Sequence, residues 1–232
     1  MPFDLYRLSF ATRYNISYND KGECALKRET GLFVSFEGID GCGKSTQIAL
    51  LKETLEQQGE SVLIVREPGG TALGERIRDI LLDRKSIGMH AETELLLFEA
   101  ARAQIVRDVI KPALLSGMIV LCDRFFDSTI AYQGYARGLD IEAIQLINRF
   151  AAGGLEPNLT FLLDLPVETA WERQAGRGVP DRLEAEGLSF MQNVKDGYLK
   201  LAQTLTRMVV LDAKLSVSVL AQEIADRFRE VT

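Results

Sequence analysis

The stretch GIDGCGKST, residues 38–46, lies between the apolar run LFVSF and the segment QIALLKETLEQQG. No other feature restricts the fold so tightly, because the pattern Gly38-x-x-x-x-Gly43-Lys44-Ser45 requires a strand before it and a helix after it. In that setting the glycines let successive main-chain N–H groups converge on phosphate oxygens, and the helix that follows adds its positive end. Gly38, Ile39, Asp40, Gly41, Cys42, Gly43, Lys44, Ser45 and Thr46 are therefore candidate contacts for nucleotide phosphates. Lys44 is expected to reach the β- and γ-phosphates and Ser45 a magnesium ion, with Cys42 read most simply as a small filler.

The rest of the chain agrees with a strand and helix alternation around that loop. Five apolar segments, 32–36, 61–65, 118–122, 159–165 and 208–211, are nearly continuous in Val, Ile, Leu and Phe, as strands covered on both faces must be. After the loop, Ile48, Leu51 and Leu55 fall on one helical face and Gly59 stands where the helix stops. Further helices are predicted over 72–84, 91–116, 140–152, 167–175, 188–205 and 216–230, with Pro112 kinking or restarting the second of these. The expectation is an α/β P-loop NTPase-like fold: a five-stranded parallel sheet, helices on both faces and a short LID. With 232 residues and 47% hydrophobic content, residues 31–232 can bury a single core. Residues 1–30 stand apart as an N-terminal extension. There Tyr14, Ile16 and Tyr18 alternate before Asn19-Asp20-Lys21-Gly22, a pattern compatible with a small hairpin, although a loose arm is the simpler reading.

A net charge of −6 argues against nucleic acid or an acidic membrane as partner, so any anion site must be local. Cys24, Cys42 and Cys122 form an odd, unpatterned set that suggests neither a disulfide framework nor zinc. Without an apolar stretch of membrane-spanning length or an N-terminal apolar leader region, the chain is expected in a reducing cytoplasm.

An acidic residue ending a neighbouring strand should help hold the magnesium ion, and Asp123 at the end of MIVLCD is the candidate. Arginines narrow the reaction class. Arg66, Arg102, Arg124, Arg173, Arg177 and Arg182 mostly follow predicted strands or lie in glycine-rich loops, where an open α/β sheet holds its ligands. The NKxD pattern of guanine switches and the LSGGQ type of transport ATPases are both missing. An acceptor that is itself a phosphate is mostly a dianion at neutral pH, its second pKa being about 6, and attacks without a general base. Cations and a water-excluding lid are what it needs. The single histidine, His90, reads as a surface residue, so transfer to a nucleoside monophosphate fits better than transfer to a sugar hydroxyl.

The segments FEGIDGCGKSTQ, REPGGT, LLFEAARAQ, DRFFDSTIAYQG and RQAGRGVPDR occur in that order. From about residue 32 onward the chain resembles the bacterial thymidylate kinases, which make dTDP from dTMP and ATP. That resemblance implies a contact from Asp40 to the sugar 3′-OH, with Arg124 holding the acceptor phosphate and Arg66 nearby. It also implies Phe98 stacked on thymine, Arg102 donating to a thymine carbonyl, Ser128 and Thr129 near the base, Tyr132 crowding the 2′ position and Gln133 completing the acceptor side. Eukaryotic-type members carry an arginine in the loop where this chain has Gly41 and Cys42. The bacterial pattern moves that charge into the LID, where Arg177 is nominated as catalytic alongside Lys44 and Arg124, with Arg173 and Arg182 as alternative ATP-side residues. A homodimer is implied as well. Two other readings remain open: a kinase for dUMP or CMP, and a nucleotide-binding regulator that transfers nothing.

Overall fold

The computed structural model describes residues 14–18, 24–28, 30–175 and 180–231. Strand β3 (Phe33–Glu37) lies at the centre of a five-stranded parallel sheet. Its neighbours are β5 (Ile119–Asp123) on one side and β6 (Leu159–Asp164) on the other, with β4 (Val62–Arg66) and β7 (Met208–Asp212) at the edges. Alternation along the central strands explains their continuous apolar sequence. Val34, Phe36, Ile119 and Leu121 belong to the core on one face, while Phe33, Val120 and Cys122 belong to the core on the other. The edge strands leave Ile64 and Val210 exposed.

Each sheet strand appears where the apolar runs predict it, but most reach one residue further at the carboxyl end. Glu37, Arg66, Asp123 and Asp212 are the last ladder residues of their strands, with Phe36 opposite Asp123 and Arg66 opposite Asp123 on its other side. Hydrophobicity alone stops too soon at such ends, because the last ladder residue is polar, and of the four only Arg66 and Asp123 line a cavity there.

Helices α1 (Lys44–Gln57), α2 (Ala72–Leu82), α3 (Ala91–Ile105), α4 (Lys111–Leu115), α5 (Phe126–Thr129), α6 (Ile141–Ala151), α7 (Val167–Gln174), α8 (Leu188–Ala202) and α9 (Val217–Val231) account for the predicted helices and add α5. Ile48, Leu51 and Leu55 of α1 are buried as their spacing predicts. Side-chain caps start α2 and α6: Thr71 accepts from the Gly74 N–H at 2.9 Å, and Asp140 accepts from the Ala143 N–H at 2.8 Å. The long stretch predicted over 91–116 is divided by a π turn, Val106–Ile110, just before Pro112. Proline has no N–H to offer the preceding turn, and a wider turn accommodates that loss without breaking the helix. A second π turn, Ile130–Ala136, extends α5. Neither α5 nor this turn was expected, because DSTIAYQG carries polar and small residues at positions that a half-exposed helix would give to aliphatic ones.

In the N-terminal extension, β1 (Tyr14–Tyr18) pairs antiparallel with β2 (Cys24–Arg28), with Tyr14 opposite Arg28 and Tyr18 opposite Cys24. The turn anticipated at Asn19 to Gly22 lies outside the described residues.

Candidate active site

Two cavities adjoin at the carboxyl ends of β3, β4 and β5. The larger, about 490 Å³, is lined by the glycine loop and the start of α1, together with Arg66 and Asp123. The smaller, about 170 Å³, is lined by Pro68, Leu82, Phe98, Arg102, Ser128, Thr129, Tyr132 and Gln133, among others. Asp40, Glu67, Arg78, Arg124 and Glu184 line both.

The loop side follows the sequence closely. Gly43 starts α1 at φ 101°, in the left-handed region that glycine tolerates best. Lys44 is buried, its Nζ donating to the carbonyls of Gly38 at 3.1 Å and Ile39 at 3.2 Å and lying 3.7 Å from Asp40. Gly41, Gly43, Ser45 and Thr46 line the cavity; Gly38, Ile39 and Cys42 support it from behind. A Cβ on Gly41 would lie 2.7 Å from the Ala170 carbonyl oxygen, and Cys42 is fully buried with its thiol pKa pushed up by that burial. The loop therefore has no room for an added arginine. Ser45 Oγ donates to Asp123 Oδ2 at 2.9 Å, uniting the two predicted metal residues. No cluster of three or more His, Cys, Asp or Glu suited to a metal occurs among the described residues. One carboxylate plus one hydroxyl fits magnesium, which keeps several waters and takes its other oxygens from substrate phosphates.

On the acceptor side, Arg124 carries much of the geometry. It follows β5 directly and sits at φ 69°, unusual for a residue with a side chain. Its guanidinium bonds Asp40 at 2.6 Å, Tyr198 Oη at 3.2 Å and Ser128 Oγ at 3.4 Å, and it stacks over the Tyr132 ring at 5.2 Å. Burial works to raise the Asp40 pKa, but Arg124 and Lys44 override it and hold the carboxyl at about 2. Asp40 is thus a permanent hydrogen-bond acceptor at neutral pH.

Phe98 and Arg102, one helical turn apart on α3, both reach the smaller cavity. Arg102 is fully buried among Glu67 (2.7 Å), Glu99, Asn148 (2.9 Å) and Thr129 (3.0 Å). Those bonds engage four of its five N–H donors and leave one for a ligand. Burial pushes Glu67 up to about 7 although Arg102 pulls it down, and Glu99 adds to the rise. Tyr132 is buried with a hydroxyl that has no partner among the described residues. Gln133 donates to Glu94 at 2.7 Å.

Three arginines lie away from the cavity to which the resemblance assigns them. Arg66 is exposed, pairs with Glu75 at 2.9 Å and lines the larger cavity rather than the smaller. Arg173 is exposed on α7, donates to the Ala213 carbonyl at 3.3 Å and lines neither cavity. Arg182 also lines neither. It bonds the Leu81 carbonyl at 2.8 Å and Glu94 at 2.6 Å, tying the LID's return to α2 and α3. Arg177 lies outside the described residues.

The residue that motif reading missed is Arg78. It lines both cavities and donates to the Pro68 carbonyl at 3.0 Å. Its signal was its spacing: it lies one turn after Gly74, where a Cβ would meet the Gly69 carbonyl oxygen at 2.7 Å. That close approach turns this face of α2 toward the REPGG loop. Glu37 was also missed. Burial and the nearby Asp127 charge push it up to about 7, against hydrogen bonding from Ser128, the charge of Arg124 and the Phe125 N–H.

A family model described as thymidylate kinase matches residues 36–224. A thymidylate kinase of Kosmotoga olearia is 48% identical over 198 residues, covering 85% of this chain and 95% of the relative. One from Ectopseudomonas mendocina is 52% identical over 185 residues, covering 79% and 88% respectively. Among solved structures, the crystal structure of thymidylate kinase from Ehrlichia chaffeensis superposes with a TM-score of 0.72 at 33% identity, spanning 86% of this chain and 99% of that one.

Proposed function

The chain belongs to the thymidylate kinase family, and from that premise we propose how its two adjoining cavities divide the work. The enzyme transfers a phosphoryl group from ATP to dTMP, giving dTDP and ADP for dTTP biosynthesis. The larger cavity takes the ATP phosphates and the smaller takes dTMP. The observation that carries this division is the shared wall, where Arg78 and Arg124 face both spaces.

Two anions must meet there, so repulsion rather than nucleophile activation is the main barrier. Arg124 and Arg78 hold the acceptor phosphate, with Arg66 adding charge from the donor side. Lys44 swings from the loop carbonyls to the β- and γ-phosphates of ATP. Ser45 and Asp123 hold magnesium, which when bound screens charge on the phosphate oxygens. Asp40, ionised at any working pH, accepts the 3′-OH of dTMP. Phe98 stacks on thymine, and the remaining N–H of Arg102 reaches a base carbonyl, close to Thr129 and Gln133. Tyr132 occupies the space that a ribose 2′-OH would need. Arg177 brings the LID's charge to the transferring group. Arg173 and Arg182 hold the two ends of the LID instead of touching ATP.

Two further assignments belong to the same reading. Leu96 of α3 and Leu146 and Phe150 of α6 are exposed, an apolar face suited to a second copy in a homodimer. No helix among the described residues is long and apolar enough to cross a membrane, in keeping with cytoplasmic work. The test is ADP release from ATP with a panel of monophosphates, with and without magnesium. Turnover is expected with dTMP, reduced with dUMP and lost without magnesium; equal turnover of CMP and dTMP would overturn the reading.

A further inference from the structure

Glu37 ends β3 immediately before the phosphate loop, is fully buried and lines neither substrate cavity. Its two carboxylate oxygens serve different partners. Oε1 accepts the Phe125 N–H at 2.7 Å. Oε2 accepts the hydroxyl of Ser128 at 2.6 Å and that of Tyr198 at 3.1 Å.

All three partners surround Arg124. Phe125 follows it in the chain, while the Arg124 N–H donates to the Phe36 carbonyl at 3.0 Å. Consecutive residues of β3 therefore grip the main chain on both sides of the left-handed arginine, a conformation that is strained for a residue with a side chain. Ser128 Oγ and Tyr198 Oη are also the oxygens to which the guanidinium donates, at 3.4 and 3.2 Å. When Glu37 is ionised its carboxylate can only accept, so it draws hydroxyl protons to itself and turns the oxygen lone pairs toward Arg124.

We propose that Glu37 is a positioning residue for phosphoryl transfer: it fixes the Arg124 main chain with one oxygen and, through Ser128 and Tyr198, aims its guanidinium with the other. The proposal rests on the reading of Arg124 as the acceptor-phosphate contact. A glutamine at position 37 keeps the size but presents an N–H₂ to one set of partners. Whichever way it turns, it either confronts the Phe125 N–H or reverses the two hydroxyls.

The experiment is a double-mutant cycle of Glu37→Gln and Arg124→Ala, reading kcat, the KM values for dTMP and ATP, and thermal stability. Glu37→Gln is expected to raise the dTMP KM by ~10-fold while the ATP KM changes less than ~2-fold, and its effect should shrink to under ~2-fold when Arg124 is already alanine. Equal effects of Glu37→Gln in both backgrounds, or parallel increases in both KM values, overturn the proposal and leave the reading of Arg124 standing. If Arg124→Ala leaves the dTMP KM unchanged, that reading fails and the proposal with it. Should Glu37→Gln not fold, Tyr198→Phe removes one hydroxyl of the relay without leaving a buried charge unpaired. It is expected to raise the dTMP KM ~2–5-fold only while Arg124 is present; no rise, or the same rise without Arg124, overturns the proposal.

Discussion

In the half assigned to the donor, one continuous loop, residues 38–46, builds the wall: Gly41, Gly43, Lys44, Ser45 and Thr46 line the larger cavity, and the Lys44 ammonium rests on the loop's own carbonyls. The acceptor half gathers Arg78 from α2, Phe98 and Arg102 from α3, Arg124 from the turn after β5 and Tyr132 from a π turn. Two of its arginines are already paired: Arg124 with Asp40, and Arg102 with Glu67 and Glu99. A main-chain cradle recognises phosphate and little else, which suits a donor common to many enzymes. A cage of side chains locked by one another can read a single base and sugar, because any misfit leaves a buried polar group unpaired.

Substitutions should separate the halves. Lys44→Ala and Arg177→Ala remove charge from the transferring phosphoryl and are each expected to lower kcat ~10³-fold, with the dTMP KM little changed, by ADP-release kinetics. For Arg177, a change confined to the dTMP KM would move it out of the donor half. Arg124→Ala should lower kcat/KM for dTMP ~10²-fold or more, mainly through KM, since a charge-assisted contact to a phosphate is lost. Phe98→Ala is expected to raise the dTMP KM ~10-fold and leave the ATP KM unchanged, as loss of one stacked ring implies. An equal rise in both would erase the distinction between the halves.

The smallest effect concerns pH and stability. Glu67 is held at about 7, above its ordinary 4.5, so the folded state binds a proton that the unfolded state releases. Its contribution is fully present below pH 4.5 and is lost as the pH rises through about 7. Asp40, lowered from 3.8 to about 2, behaves oppositely: its contribution is present above 3.8 and is lost as the pH falls through about 2. Melting temperature should therefore fall between pH 5 and 8 by a few degrees, and Glu67→Gln should flatten that decline. An unchanged slope in the variant would show that Glu67 does not titrate in this window.

The donor half was almost wholly legible from the chain, since its loop, Lys44, Ser45 and the strand that delivers Asp123 are each local patterns. The pairing of Ser45 with Asp123, although distant in sequence, followed because both patterns have one structural use. Acceptor residues were legible where they lie in recognisable segments. Arg78 was not, because an arginine on a surface helix looks the same whether it meets solvent or substrate until Gly74 brings that helix against the REPGG loop. The same limit applies to Arg66 and Arg182, which occupy suitable segments but point to Glu75 and Glu94.

Periodicity and the glycine loop were enough to determine the parallel sheet, the helices flanking it and the loop that walls the larger cavity, because these depend on hydrophobic burial and on main-chain geometry set by near neighbours. Tertiary structure alone decided the strand order β4-β5-β3-β6-β7, the direction each arginine takes and the burial of Glu37 behind Arg124. Those outcomes depend on which charges share a low-dielectric space, and that is a property of distance in three dimensions rather than along the chain.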